Sequence, residues 1–203
     1  MQNRVGLFGG TFNPLHNAHI AVANNAMEQF GLAEIVFIPS GTPPHKKVAG
    51  GVDKEMRYTM VKDALSTTPY FSVSRMEIDR QGPSYTIDTI EAMREVYPQG
   101  LCFIVGADLL ADIETWKKPE ALLRSIPFIV APRARITQEV FTSPRFAGAQ
   151  IHWLRMQQVD LSSSWVRKRI RQGQPIEKWV PEEVVNYIKQ HGLYQGRKLS
   201  RVH

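Results

Sequence analysis

Residues 4–19, Arg-Val-Gly-Leu-Phe-Gly-Gly-Thr-Phe-Asn-Pro-Leu-His-Asn-Ala-His, restrict the fold more than any other stretch of this chain. The apolar run Val5 to Phe8 has strand character, breaks at Gly9-Gly10, passes through Thr11 and Pro14, and resumes with a helical pattern that holds His16 and His19. A strand, a glycine turn and a helix N-terminus in that order present free backbone N–H groups and the positive end of a helix dipole, which together attract anions. Two histidines three positions apart on the first turn share one helix face. As chemistry the segment suits phosphate. As structure alone it is a strand-to-helix loop with surface histidines, because Gly-Gly turns are common. Thr11, Asn13, Pro14 and the paired histidines favour the first reading.

The 203 residues are enough for one substantial domain with a full core, expected over 1–194, followed by a basic C-terminal tail over 195–203. With 43% hydrophobic and 22% charged residues the composition is that of a globular protein and gives no sign of disorder. No apolar stretch approaches the roughly 18 residues that cross a bilayer, and the N-terminus lacks a signal-peptide layout. A soluble cytoplasmic protein is the expectation. Cys102 is the single cysteine, sits in the apolar run Leu101 to Val105, and is expected to pack as a small hydrophobe. A net charge of +6 suits anionic partners. Much of the excess lies at Arg167, Lys168, Arg169 and Arg171 and in the tail at Arg197, Lys198 and Arg201, where solvated helix face and tail is the plain reading. No interleaved aromatic pattern marks a single-strand nucleic-acid platform, so nucleotides are preferred to nucleic acid as partners, and homo-oligomerisation stays open.

Strand-like runs alternate with helical ones. Strands are expected at 5–8, 35–38, 71–75, 101–105, 128–131 and 151–154. Helices are expected at about 17–30, 54–66, 87–96, 163–171 and 182–191, with shorter helical segments around Leu109 and Ala121. This alternation argues for an α/β fold, a Rossmann-like parallel sheet with helices on both faces and a small helical C-terminal portion. Gly9, Ser40, Gly106 and Pro132 all follow strands at the end where such sheets bind ligands. Residues 133–150, rich in Arg, Pro, Thr and Gly, read as a surface excursion.

Several further segments carry chemistry. In Leu161-Ser162-Ser163-Ser164-Trp165-Val166-Arg167 three hydroxyls precede a helix with an arginine in its first turn; capping explains one serine, and an anion site uses the rest. Thr42-Pro43-Pro44-His45-Lys46-Lys47 is a proline-stiffened loop in which Lys46 offers a mobile point charge. Ser84-Tyr85-Thr86-Ile87-Asp88-Thr89 opens a helix. Asp108 follows the strand ending at Val105, where it can cap a helix, accept ribose hydroxyls or help hold a magnesium ion. Trp116, beside Lys117 and Lys118, either packs a helix end or stacks on a planar ring.

Gly9 to His19 resembles the first signature of the nucleotidyltransferases, with His16 and His19 matching their HxGH element. Ala18 stands where that family usually has glycine, so a methyl narrows backbone approach to a nucleotide there. Leu161 to Arg167 resembles the second signature, ISSTxIR. Pro43-Pro44-His45-Lys46, Ser84 to Thr89 and Gly106-Ala107-Asp108-Leu109-Leu110 followed by Trp116 resemble the PPHK, SYTxDT and GADLL elements of the nicotinate mononucleotide adenylyltransferases. The likeness runs from Val5 to about Tyr194, in order. It implies the nucleotidyltransferase fold and transfer of the adenylyl group of ATP to nicotinate mononucleotide, giving deamido-NAD and pyrophosphate, with Mg2+ accompanying ATP and no metal site of the protein's own. It further implies His16, His19, Lys46 and Arg167 as the catalytic group and Gly9, Gly10, Thr11, Phe12, Ser163 and Ser164 as ATP-binding residues. Asn13, Lys46, Ser84, Tyr85, Thr86, Asp108 and Trp116 are implied to hold nicotinate mononucleotide, with its ring on Trp116. The alternatives are another acceptor, nicotinamide mononucleotide or phosphopantetheine, and a non-catalytic nucleotide- or RNA-binding relative.

Overall fold

Along β1 (Val5–Gly10) successive side chains enter opposite cores: Val5 and Leu7 pack on one face of the sheet and Phe8 on the other. The same alternation holds in β2 (Glu34–Pro39), with Val36 and Ile38 against Ile35 and Phe37. A strand covered on both faces reads as an unbroken apolar run, and the match to a buried parallel sheet follows from that. Each fully buried Leu, Ile or Phe contributes about 1.5–3 kcal/mol, so neither face tolerates exposure.

The computed structural model describes residues 1–42, 49–133 and 136–195. After β1 come α1 (Asn17–Phe30), β2, α2 (Lys54–Leu65), β3 (Phe71–Val73), α3 (Met76–Asp79), α4 (Thr86–Val96), β4 (Leu101–Gly106) and α5 (Ala107–Ala111). They are followed by α6 (Pro119–Ser125), β5 (Phe128–Ala131), β6 (Ile151–Trp153), α7 (Ser163–Arg171) and α8 (Glu182–Gln190). Six strands form one parallel sheet in the order β3-β2-β1-β4-β5-β6. Buried residues of α1, α2, α7 and α8 share a core with one face, and those of α4, α5 and α6 with the other. This is the expected doubly wound, Rossmann-like arrangement. Strand order reverses between β1 and β4, and there the carboxyl ends of the strands leave a crevice.

Local signals explain most boundaries. Gly31 ends α1 in the left-handed region (φ 59°, ψ 43°), which glycine adopts without Cβ strain. Asp53 caps α2 by accepting the Met56 N–H. Cys102 lies in β4 with its thiol pushed up to about 12 by burial, so it packs and is not a nucleophile. No helix among the described residues is long and apolar enough to cross a membrane.

Two expectations are corrected. Residues 133–150 are not a simple surface excursion: Phe141 and Phe146, on two 3₁₀ turns, are buried with ring centroids 5.0 Å apart. β3 ends at Val73, and the chain then turns into α3, a four-residue helix too short to show periodicity. Gly41 allows α3 to approach the loop after β2. A Cβ at Gly41 would lie 1.9 Å from the Glu77 carbonyl oxygen, so Gly41→Ala forces backbone apart. That variant is expected to lose about 2 kcal/mol or more, read as a lower urea midpoint; an unchanged midpoint would contradict this packing.

Candidate active site

Two adjoining clefts open at the crevice. The first, of about 260 Å³, is walled by the β1–α1 loop, both histidines, Asp108, Arg133 and the start of α7. The second, of about 230 Å³, lies between the same loop, Ser40, the start of α4 and Trp116. Gly9, Gly10, Thr11 and Leu109 line both, so the two compartments meet along the end of β1.

The loop is built to hold the histidines. Gly10 leaves room for the Phe12 ring, which a Cβ there would meet at 2.8 Å. Phe12 takes a positive φ of 45° and is 2% exposed, its ring edge-on to Phe8 at 5.7 Å and to His19 at 5.1 Å. Its ring is therefore a floor behind His19. His16 ends the loop as the N-cap of α1 and is 1% exposed, its ring stacked on His19 at 3.7 Å. The His16 N–H donates to His19 Nδ1 at 3.2 Å. An Nδ1 that accepts a hydrogen bond leaves the proton of a neutral ring on Nε2, so His19 presents a donor. Ala18 is buried and lines the first cleft, its methyl forming part of the wall.

Both imidazoles are held neutral. Burial, then the Arg133 charge, lowers His16 from 6.5 to about 3; burial, then His16 and Arg133, lowers His19 well below its ordinary value. The unfolded chain protonates at about 6.5 and the native His16 does not until about 3, so stability present at neutral pH is lost as pH falls through that window. His16 alone should remove about 2 kcal/mol between pH 7 and pH 5. Urea midpoints at the two pH values measure it, and equal midpoints would contradict the neutral state.

The start of α7 docks on the same loop. Ser162 caps the helix by accepting the Trp165 N–H at 3.2 Å. Ser163 Oγ donates to the Pro14 carbonyl at 2.9 Å, and Arg167 donates to the Asn13 carbonyl at 2.7 Å and to Ser164 Oγ at 3.0 Å. Burial lowers the Arg167 pKa, and its Nε has no hydrogen-bond partner among the described residues. Arg169, half-buried, lies over the rings of Trp165 at 4.9 Å and Trp179 at 4.5 Å and braces α7 against the segment that follows.

In the second cleft Ser84 is 8% exposed and its hydroxyl has no hydrogen-bond partner among the described residues. Tyr85 and Thr86 begin α4 beside it. Trp116 stands edge-on to Phe103 at 6.4 Å. Lys117 fixes the tryptophan's segment to α4 through Asp88, at 2.8 and 3.0 Å, and lies over the Tyr85 ring at 4.6 Å.

Of the residues singled out in the sequence, all but Lys46 line one cleft or the other. Lys46, with Pro43, Pro44, His45 and Lys47, lies outside the described residues. Asn13 and Asp108, expected on the acceptor side, line the first cleft with the histidines. Three participants had no sequence signal. Arg133 reaches Asp108 at 3.8 Å and the Leu161 carbonyl at 3.3 Å. Glu77, its pKa raised chiefly by burial, lines the second cleft and accepts from Thr89 Oγ1 at 2.8 Å. Arg57 is 1% exposed and donates to the carbonyls of Thr11 at 2.9 Å and Gly41 at 3.0 Å. Only Arg133, just past the β5 strand end, stood at a position the topology marks.

The cytidylyltransferase-like family profile matches residues 7–169. A Moorella thermoacetica protein named probable nicotinate-nucleotide adenylyltransferase is 42% identical over 201 residues, covering 96% of this chain and 93% of the relative. The chain belongs to this family. Within it, a similarly named protein of Carboxydothermus hydrogenoformans is 41% identical, covering 95% of this chain and 98% of the relative. Among solved structures, the Plasmodium falciparum nicotinic acid mononucleotide adenylyltransferase complexed with NaAD superposes with a TM-score of 0.79 at 20% identity, covering 95% of this chain and 98% of that one. That likeness bears on the fold, and it matches the family's α/β architecture seen here.

Proposed function

We propose that this chain transfers the adenylyl group of ATP to nicotinate mononucleotide, forming deamido-NAD and pyrophosphate as a step of NAD biosynthesis. The observation that carries the reading is the pair of clefts sharing the β1–α1 loop. One is walled by histidines, serines and an arginine suited to a triphosphate, and the other by a tryptophan and the hydroxyl-bearing start of α4 suited to a pyridine nucleotide. The names borne by the relatives of about 40% identity agree with it.

In the reaction a phosphate oxygen of the mononucleotide attacks the α-phosphorus of ATP in line; the new O–P bond forms as the bond to the β-phosphate bridging oxygen breaks, and pyrophosphate leaves. The attacking oxygen is already anionic, so no general base and no covalent intermediate is needed. The chain supplies alignment and hydrogen-bond donors where charge grows: His19 Nε2–H, His16, the backbone N–H groups at the start of α7, including those of Ser163 and Ser164, the Ser164 hydroxyl, and Arg167. Lys46 and Asn13 are assigned to the acceptor phosphate, Ser84, Tyr85, Thr86 and Trp116 to its nicotinate half.

Magnesium is assigned as part of the MgATP substrate. Among the described residues no group of three or more His, Cys, Asp and Glu is arranged around a common point, and a magnesium held mainly by phosphate oxygens and water needs no such cage. Asp108 is the carboxylate of the first cleft that would accept its water or a ribose hydroxyl.

Pyrophosphate release with ATP and each of nicotinate mononucleotide, nicotinamide mononucleotide and phosphopantetheine tests the assignment. Turnover fastest with the acid supports it. A large preference for the amide or for phosphopantetheine would overturn the acceptor, and salt-dependent RNA binding without release from any acceptor would overturn the enzyme.

A further inference from the structure

Tyr194 lies beyond α8, more than 170 positions from the catalytic loop, yet it is 4% exposed and its hydroxyl donates to Asn13 Oδ1 at 2.6 Å. Its backbone is in the left-handed region (φ 61°), which a large aromatic residue seldom occupies unless its surroundings hold it there. Its ring lies so close over the 3₁₀ turn Ala49–Gly51 that a Cβ on Gly50 would come within 2.9 Å of it. The phenol feels two guanidinium groups, Arg57 and Arg167, and burial raises its pKa against their pull, so it remains a hydroxyl donor. Each arginine holds a different part of the site: Arg57 binds the carbonyls of Thr11 and Gly41, and Arg167 that of Asn13.

We propose that Tyr194 is a positioning residue for adenylyl transfer: by holding Asn13 Oδ1 while Arg167 holds the carbonyl of the same residue, it sets the loop after β1 relative to α7 so that both reactants are aligned. The inference rests on the adenylyl-transfer reading and adds a residue to it. A packing residue needs only its ring. A positioning residue needs its hydroxyl, because that group holds Asn13 Oδ1 while Arg167 grips the carbonyl of the same residue, and the two bonds together set where Asn13 stands.

Tyr194→Phe keeps the ring and removes the bond. It is expected to fold, to lower kcat about tenfold, and to weaken binding of a non-hydrolysable ATP analogue about fivefold by calorimetry. In an Asn13→Ala background the same change should cost less than twofold in either quantity, since the hydroxyl then has no Oδ1 to hold. A Tyr194→Phe variant with kcat and analogue affinity within twofold of the wild type would overturn the proposal. So would losses that recur in full in the Asn13→Ala background, or a variant that does not fold, because the hydroxyl would then serve packing. Wild-type turnover reports separately on the transfer reading, and the binding arm needs no turnover.

Discussion

Alanine in place of His16 or His19 should lower adenylyl-transfer turnover by about 100-fold or more, the loss seen when a preorganised donor to a developing negative charge is removed. The expectation follows from where the rings sit. They are stacked at 3.7 Å at the head of α1, in the wall shared with Arg133 and the α7 serines. They are neutral, because burial and Arg133 oppose protonation. His19, whose Nδ1 already accepts the His16 N–H, has one thing to offer a phosphate, its Nε2–H. His16→Ala removes a buried N-cap side chain and His19→Ala the acceptor of the His16 N–H, so each should also lower the melting temperature by several degrees. Turnover measured at saturating substrate, with melting monitored by circular dichroism, separates the two effects. Near-normal turnover in both variants would refute the assignment.

Arg167→Ala should reduce kcat/KM for ATP by about 100-fold, and Arg167→Lys should recover only a small part of it. The guanidinium is half-committed: one nitrogen is spent on the Asn13 carbonyl and another on Ser164 Oγ, while Nε is buried with no hydrogen-bond partner among the described residues. A planar fork can bind the loop, the helix and a phosphate oxygen at once. An ammonium at the same place holds one of these at a time, so charge returns without geometry. Initial rates over a range of ATP at saturating acceptor measure the ratio. A lysine variant as active as the wild type would mean that only the positive charge matters.

Much of the fold was legible because its signals are local. Four apolar runs buried on both faces gave the central strands, and the helices expected at about 17–30 and 163–171 keep those bounds in the structure. β3 and α3 were less legible, since three and four residues are too few to carry a period. In the site, the histidines, the α7 serines, Arg167 and Trp116 stood out because strand ends and helix starts are where ligands bind in open parallel sheets. Arg57 and Tyr194 did not. Arg57 reads as a polar position of an ordinary helix, and Tyr194 follows the last helix; each acquires meaning only when the fold brings it to backbone or side chain of the β1–α1 loop. Glu77 was hidden for the same reason, on a helix the pattern did not announce.

The stereochemistry at the α-phosphorus tests most directly whether the two substrates react with each other on a preformed surface. With one diastereomer of ATP carrying sulfur at that phosphorus, a single in-line displacement inverts the configuration in the deamido-NAD analogue that forms, and inversion is the predicted result. Retention would mean two displacements through an adenylylated side chain, and would contradict the account.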